Sequence, residues 1–382
     1  MKRVWGILLC VVLVFGAFSM TARAAAPEVK AKSALLMDVA TGTVLYESSS
    51  HEPLAPASVT KVMTMLLCME AIDTGRIGWD DTVTASEEAA SKGGSQIYLK
   101  VGETMSVADM VKSIAVSSAN DCACAMAEHI AGSEAAFVDM MNLRAQELGM
   151  QDTKFVNCTG LDDSEDAKEH RTSAYDIAVM SRELLKNHPD IKKYTTIWMD
   201  TVRGGTFGLS NTNKLVRFYP GATGLKTGFT SGAGYCLSAS AQRDGMELVA
   251  VVMGSETSKD RFAACKALLD YGFANFATVQ PELPEQLQVP VKLGEQKFAR
   301  AVPSQNTLLL VDKSQRSAVT TEYTLEETVD APVSTGQRLG TITVKVGQQV
   351  ISQIPLMAEE TVEKLTWGDL VVEFLKHITM AK

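Results

Sequence analysis

The 382-residue sequence has no run of basic residues, no internal repeat and no low-complexity stretch. Acids outnumber bases, 45 Asp and Glu against 36 Lys and Arg, giving a formal net charge of −9. Neutralising a phosphate backbone takes clustered Lys and Arg, so nucleic acid is excluded as a partner. Metal-ligand spacing is missing as well. The five histidines are scattered, neither His-x-x-x-His nor Cys-x-x-Cys occurs, and no metal is expected.

The apolar run from Val4 to about Phe18 falls short of the roughly 20 residues a membrane span needs. It follows Lys2 and Arg3 and leads into Ala22-Arg23-Ala24, the charged, apolar and small-residue order of a cleaved secretory signal. Residues 1–24 are therefore expected to leave on export, taking Cys10 with them. Cys68, Cys122, Cys124, Cys158, Cys236 and Cys265 remain. An even count in an exported chain permits disulfides. Most of these thiols sit in apolar stretches such as Val62–Met69 and Cys122–Ala127, which favours free core cysteines.

Hydrophobic residues make up 46% of the chain and charged residues 21%, enough for a sizeable core. Residues 27–277 mix strands with helices. Ser33–Val39 and Thr43–Glu47 flank Ala40-Thr41-Gly42 as a hairpin. Ser58 to Thr74 reads as a helix, Val107–Gly132 as two helices around a turn, and Thr172–Asn187 as a Thr-capped amphipathic helix. Leu237–Ser240 and Leu248–Met253 read as buried strands, and Lys259 to Tyr271 as a helix. After Pro281-Glu282-Leu283-Pro284 the pattern changes. Leu287–Val291, Thr307–Val311, Ala318–Tyr323 and Leu339–Val346 alternate at strand spacing without helical periodicity, so residues 283–360 are expected to form a small all-β domain. Over residues 361–382, Trp367, Leu370, Val371, Phe374, Leu375 and Ile378 fall on one helical face. That stripe predicts an amphipathic anchor lying in a membrane surface, or else packing on the β-domain.

Three short motifs carry the chemistry. In Ser58-Val59-Thr60-Lys61, residues three apart share a helical face, so the Lys61 amine can lie beside the Ser58 hydroxyl. A serine is a weak nucleophile until a base takes its proton, and a lysine made neutral by burial can be that base. In Ser118-Ala119-Asn120 the hydroxyl can relay a proton and the amide can hold a peptide group, although both residue types also cap helices. In Lys226-Thr227-Gly228, followed by Phe229, a strand edge offers a cation, a hydroxyl and room for substrate main chain. Each motif alone has a bland reading. Together, in this order, they resemble the Ser-x-x-Lys, Ser-Asp-Asn and Lys-Thr-Gly set of penicillin-binding proteins and class A β-lactamases.

The wider sequence resembles the low-molecular-mass penicillin-binding proteins of the D-alanyl-D-alanine carboxypeptidase family. Gly94-Ser95-Gln96-Ile97-Tyr98-Leu99-Lys100-Val101-Gly102-Glu103, Thr159-Gly160-Leu161-Asp162 and Thr172-Ser173-Ala174-Tyr175-Asp176 carry the likeness. Ala119 stands where some relatives have Gly or Asp, and Phe229 where certain members have His. The resemblance implies an α+β, β-lactamase-like fold, an antiparallel sheet flanked by helices, followed by the β-rich domain. It implies a serine carboxypeptidase that needs no cofactor, removes the terminal D-alanine from peptidoglycan stem peptides and is acylated by β-lactams. Ser58, Lys61 and Ser118 are then catalytic. Asn120, Lys226, Thr227, Gly228, Phe229 and Arg261 bind substrate, with the Ser58 and Phe229 N–H groups at the oxyanion and Arg261 near the terminal carboxylate. The implied location is the outer face of the bacterial cytoplasmic membrane. Two rival readings are a β-lactamase, for which Glu165 is the one candidate deacylating acid, and a penicillin-binding module without catalysis.

Overall fold

The computed structural model describes residues 25–372. The expected signal, Cys10 within it, and Phe374, Leu375 and Ile378 of the C-terminal stripe lie outside the described residues.

The apolar run Leu248–Met253 has no polar alternation, and such a strand has to be covered on both faces. It lies in Met246–Ser255, the middle strand of a five-stranded antiparallel sheet. Across the sheet the order is Val44–Ser48, Ser33–Asp38, Met246–Ser255, Gly234–Arg243 and Ala222–Thr230. Val249, Val251 and Met253 join a helical core built from Lys61–Asp73, Val107–Ser117, Asn120–Ala131 and Ala174–Asn187. Leu248, Ala250 and Val252 join the core under the helix Ser258–Asn275 on the other face. The sheet flanked by helices is therefore the expected architecture. It leaves Ala222–Thr230, which carries Lys226-Thr227-Gly228, as the edge strand.

Local chemistry sets the helix ends. Ser106 Oγ accepts from the Asp109 N–H to start Val107–Ser117, and Ser173 Oγ accepts from the Asp176 N–H to start Ala174–Asn187. The cap is thus one residue later than the Thr172 that the sequence pattern predicts. Thr172 instead exchanges backbone hydrogen bonds with Leu54. The segment expected to be helical from Ser58 begins as a tighter 3-10 turn, Ala57–Thr60, and the α-helix proper starts at Lys61. A helix Glu134–Glu147 and a hairpin Met199–Val202/Phe207–Ser210 are additions to the elements expected from sequence. All six described cysteines are buried and free.

Beyond residue 280 the chain forms a six-stranded sheet. Its order is Val319–Leu325, Arg338–Val346, Gln349–Ala358, Phe298–Pro303, Gln288–Lys292 and Val329–Asp330. Leu339, Ile342, Val344, Ile354 and Leu356 fill its core. Leu309–Asp312, expected within this domain, pairs instead with Phe276–Val279, and Lys313 Nζ donates to the Phe273 carbonyl at 2.9 Å. The two units are stitched together by backbone. Between the strands a 3-10 turn at Lys313–Ala318 interrupts the alternation that the sequence shows. At the C-terminal end, residues 367–372 are helical and Trp367 is 86% exposed. Among the described residues no helix is long and apolar enough to cross a membrane.

Candidate active site

The 3-10 turn brings Ser58 and Lys61 onto one face. Lys61 Nζ donates to Ser58 Oγ at 2.9 Å and to the Thr159 carbonyl at 2.8 Å. Lys61 is fully buried, and burial drives its ammonium down to about 7. The nearby Asp121 carboxylate works the other way. Asp121, buried at the start of Asn120–Ala131, also accepts from the Ile97 and Leu99 N–H groups at 3.0 Å each and so pins that segment to the start of the helix.

Ser118 and Asn120 do not cap the following helix. Its N-cap position is Ala119, which makes no side-chain capping bond. Ser118 ends the preceding helix in a left-handed conformation, φ 63°, costly for a residue with a side chain. Asn120 Nδ2 donates to the Gly93 carbonyl at 2.7 Å, while its buried Oδ1 has no partner among the described residues. Both side chains are therefore spared for something other than capping, and a buried acceptor without a donor is suited to a substrate N–H.

The edge strand lies against the serine turn because residue 228 is glycine. A Cβ there would sit 2.6 Å from the Pro56 carbonyl oxygen and 3.1 Å from the Ser58 nitrogen. Lys226 is fully buried, donates to the Thr227 carbonyl at 2.9 Å, and is pushed well below the usual lysine range by burial, then by Lys61 and Arg261. Thr227 Oγ1 donates to Thr212 Oγ1 at 2.6 Å. Phe229 is exposed and stacks on Tyr235, ring centroids 4.3 Å apart. Arg261 reaches the same strand from the opposite face of the sheet. Its Nη1 donates to the Gly228 and Cys236 carbonyls at 3.0 and 3.2 Å, so in this state the guanidinium braces the strand. Glu165 is exposed on the 3-10 turn Glu165–Glu169.

A carbonyl-anchored lysine on a serine, beside an edge strand bearing a second buried lysine, is an arrangement for acyl transfer from a carboxylate-ended substrate to the serine. A family model described as D-alanyl-D-alanine carboxypeptidase matches residues 20–257. The chain belongs to the D-alanyl-D-alanine carboxypeptidase family. It is a serine peptidase acting on peptidoglycan. The C-terminal domain of penicillin-binding protein 5 matches residues 284–364. The chain is 44% identical over 354 residues to D-alanyl-D-alanine carboxypeptidase DacF of Bacillus subtilis (strain 168), covering 91% of this chain and 89% of the relative. Penicillin binding protein 5 from Haemophilus influenzae superposes with a TM-score of 0.76 at 31% identity, over 88% of this chain and 99% of that one. Penicillin-Binding Protein D2 from Listeria monocytogenes, solved in its cefotaxime-bound form, superposes with a TM-score of 0.60 at 31% identity, over 65% of this chain and 98% of that one.

Within this family member several contributors escape sequence reasoning. Thr159 supplies a backbone carbonyl, which no side-chain motif can announce, although Thr159-Gly160-Leu161-Asp162 is itself family-like. Thr212 has no motif of its own. Glu134 holds the Thr159 segment by accepting from the Cys158 N–H and thiol, each at 3.1 Å.

Proposed function

We propose that Ser58 is the nucleophile of a D-alanyl-D-alanine carboxypeptidase that proceeds through an acyl-enzyme. Neutral Lys61 takes the Ser58 proton as Oγ bonds to the carbonyl carbon between the two D-alanines, and the Ser58 and Phe229 N–H groups hold the resulting oxyanion. The carbon–nitrogen bond then breaks. The departing D-alanine takes its proton through Ser118, with Lys226 beside the path. Asn120 aligns the acyl side, and Lys226 and Thr227 receive the terminal carboxylate on the edge strand, with Gly228 giving it room. Arg261 supports that carboxylate site. Water splits the ester and restores Ser58. The observation that carries this reading is Lys61 Nζ at 2.9 Å from Ser58 Oγ with its charge destabilised by burial.

The same site would be acylated by β-lactams, whose strained amide and carboxylate resemble the D-Ala-D-Ala end. The purified protein is expected to release D-alanine from a peptide ending in Lys-D-Ala-D-Ala, and to hold a labelled penicilloyl ester long enough for a gel. Rapid turnover of penicillin without D-alanine release would point to a β-lactamase; labelling without D-alanine release would point to a non-catalytic module.

Residues 1–24 act in this reading as the export signal, 27–277 as the catalytic domain, 283–360 as the β-rich domain and 361–382 as a peripheral anchor on the outer face of the cytoplasmic membrane. The exposure of Trp367 and Val371, rather than burial against the β-domain, supports the anchor. In cells, the mature N-terminus is expected near Ala25, and deletion of residues 362–382 should move the protein from the membrane to the soluble fraction. An equally membrane-bound truncate would refute the anchor.

A further inference from the structure

His170 is a buried titratable residue with no part in the mechanism above. It is 3% exposed, and its Nε2 lies 2.8 Å from Thr60 Oγ1. The Thr60 hydroxyl gives its single proton to the Ala57 carbonyl at 2.8 Å, so it can only accept from His170. Nε2 therefore carries the hydrogen. Nδ1 accepts from the Val156 N–H at 3.2 Å, which fixes the neutral tautomer at both ends. Burial, then the Arg171 and Lys61 charges, hold the imidazole down at about 4, in keeping with that assignment.

The chain of bonds ends at a stretch of backbone held in an uncommon conformation. Ala57, directly before Ser58, has φ 48°, a left-handed conformation that an alanine adopts only when its surroundings impose it. Gly228 closes on one side of this turn. On another is Gly160, where a Cβ would stand 1.9 Å from the Ala57 carbonyl oxygen. Both glycines act only by making room. The Thr60 hydroxyl, oriented by His170, is the side-chain group that pulls on the Ala57 carbonyl.

We propose that His170 is a positioning residue for Ser58, acting as a strut through Thr60 to the Ala57 carbonyl and so fixing the turn that aims Ser58 Oγ at Lys61. This rests on Ser58 being the nucleophile. A purely structural histidine would be felt in folding alone, whereas a strut is felt in the acylation step.

The test measures acylation by a fluorescent penicillin, separating the binding constant from the first-order acylation rate, with thermal melting alongside. Thr60→Val keeps the side chain's shape and removes the hydroxyl. His170→Asn keeps an acceptor for Val156 and removes the donor to Thr60; His170→Gln restores a donor near the Nε2 position. Thr60→Val and His170→Asn should each slow acylation about 10- to 100-fold, as small misplacements of a reacting group do, with penicillin binding nearly unchanged. The double variant should be no slower than Thr60→Val alone, and His170→Gln should recover most of the rate. Normal acylation in folded Thr60→Val, or multiplying effects in the double variant, would overturn the strut while leaving Ser58 as nucleophile. Labelling that survived Ser58→Ala would overturn the nucleophile and the strut together.

Discussion

Replacing Ser58 by alanine should abolish both D-alanine release and penicillin labelling while leaving the fold intact. The fold survives because Ser58 Oγ receives one of the two hydrogen bonds that Lys61 Nζ donates, and the other, to Thr159, remains. The chemistry fails because the acyl group then has no oxygen to bond to. Loss of one member of a catalytic unit costs about four to six orders of magnitude, the remaining rate being what binding and the oxyanion site achieve alone. The measurement is D-alanine released per hour from the Lys-D-Ala-D-Ala peptide, beside the thermal midpoint of each protein. Retained release at an unchanged midpoint would contradict the proposed nucleophile. A midpoint that collapsed would be equally informative, because it would mean that the 2.9 Å contact holds the turn together rather than serving catalysis.

The sequence is most legible where chemistry and periodicity coincide. Leu248–Met253 announces a doubly covered strand, and it is the middle of the sheet. Ser58 and Lys61 announce each other by helical spacing, and the contact forms even though the turn is 3-10 where the pattern predicts an α-helix. A spacing of three survives that change because such residues eclipse in a 3-10 turn. Illegible are the parts that use the main chain or that are chosen for what they leave out. The Thr159 carbonyl is generic, and Gly160 and Gly228 matter through contacts a side chain would spoil. Arg261 shows a subtler gap. Family likeness places it by a substrate carboxylate, but only the fold reveals that its donors reach Gly228 and Cys236 first. The middle motif resolves through an absence of another kind, since Ala119 rather than Ser118 or Asn120 occupies the capping position.

Lys61→Met is expected to be nearly as inactive as Ser58→Ala and yet more stable than the parent. Acylation needs the amine without its proton, and within a catalytic unit the loss of the base costs about as much as the loss of the nucleophile. With Lys61 held at about 7, the parent's acylation rate should climb with pH, roughly tenfold per pH unit below that value, and flatten above it. Burial sets this midpoint, with Cys158 and then Asp121 holding it up against that fall. The stability effect has a definite sign. An unfolded lysine keeps its proton up to about 10.4, whereas native Lys61 loses it near 7, so between those values the unfolded state binds more protons and stability rises with pH. Below pH 7 both states are charged and the full burial penalty stands. Methionine removes that penalty, which amounts to about 1.4 kcal/mol for every pH unit separating native from unfolded titration. It also strands the buried Thr159 carbonyl, which costs about 1–3 kcal/mol. The balance favours Lys61→Met by roughly a few kcal/mol at about pH 6, and the advantage should shrink as pH rises toward about 10. Melting curves at about pH 6 and about pH 9, with the acylation profile across roughly that range, check both halves. A Lys61→Met protein less stable than the parent under the acidic condition, together with a flat acylation profile, would mean that Lys61 is a structural cation and that the base lies elsewhere.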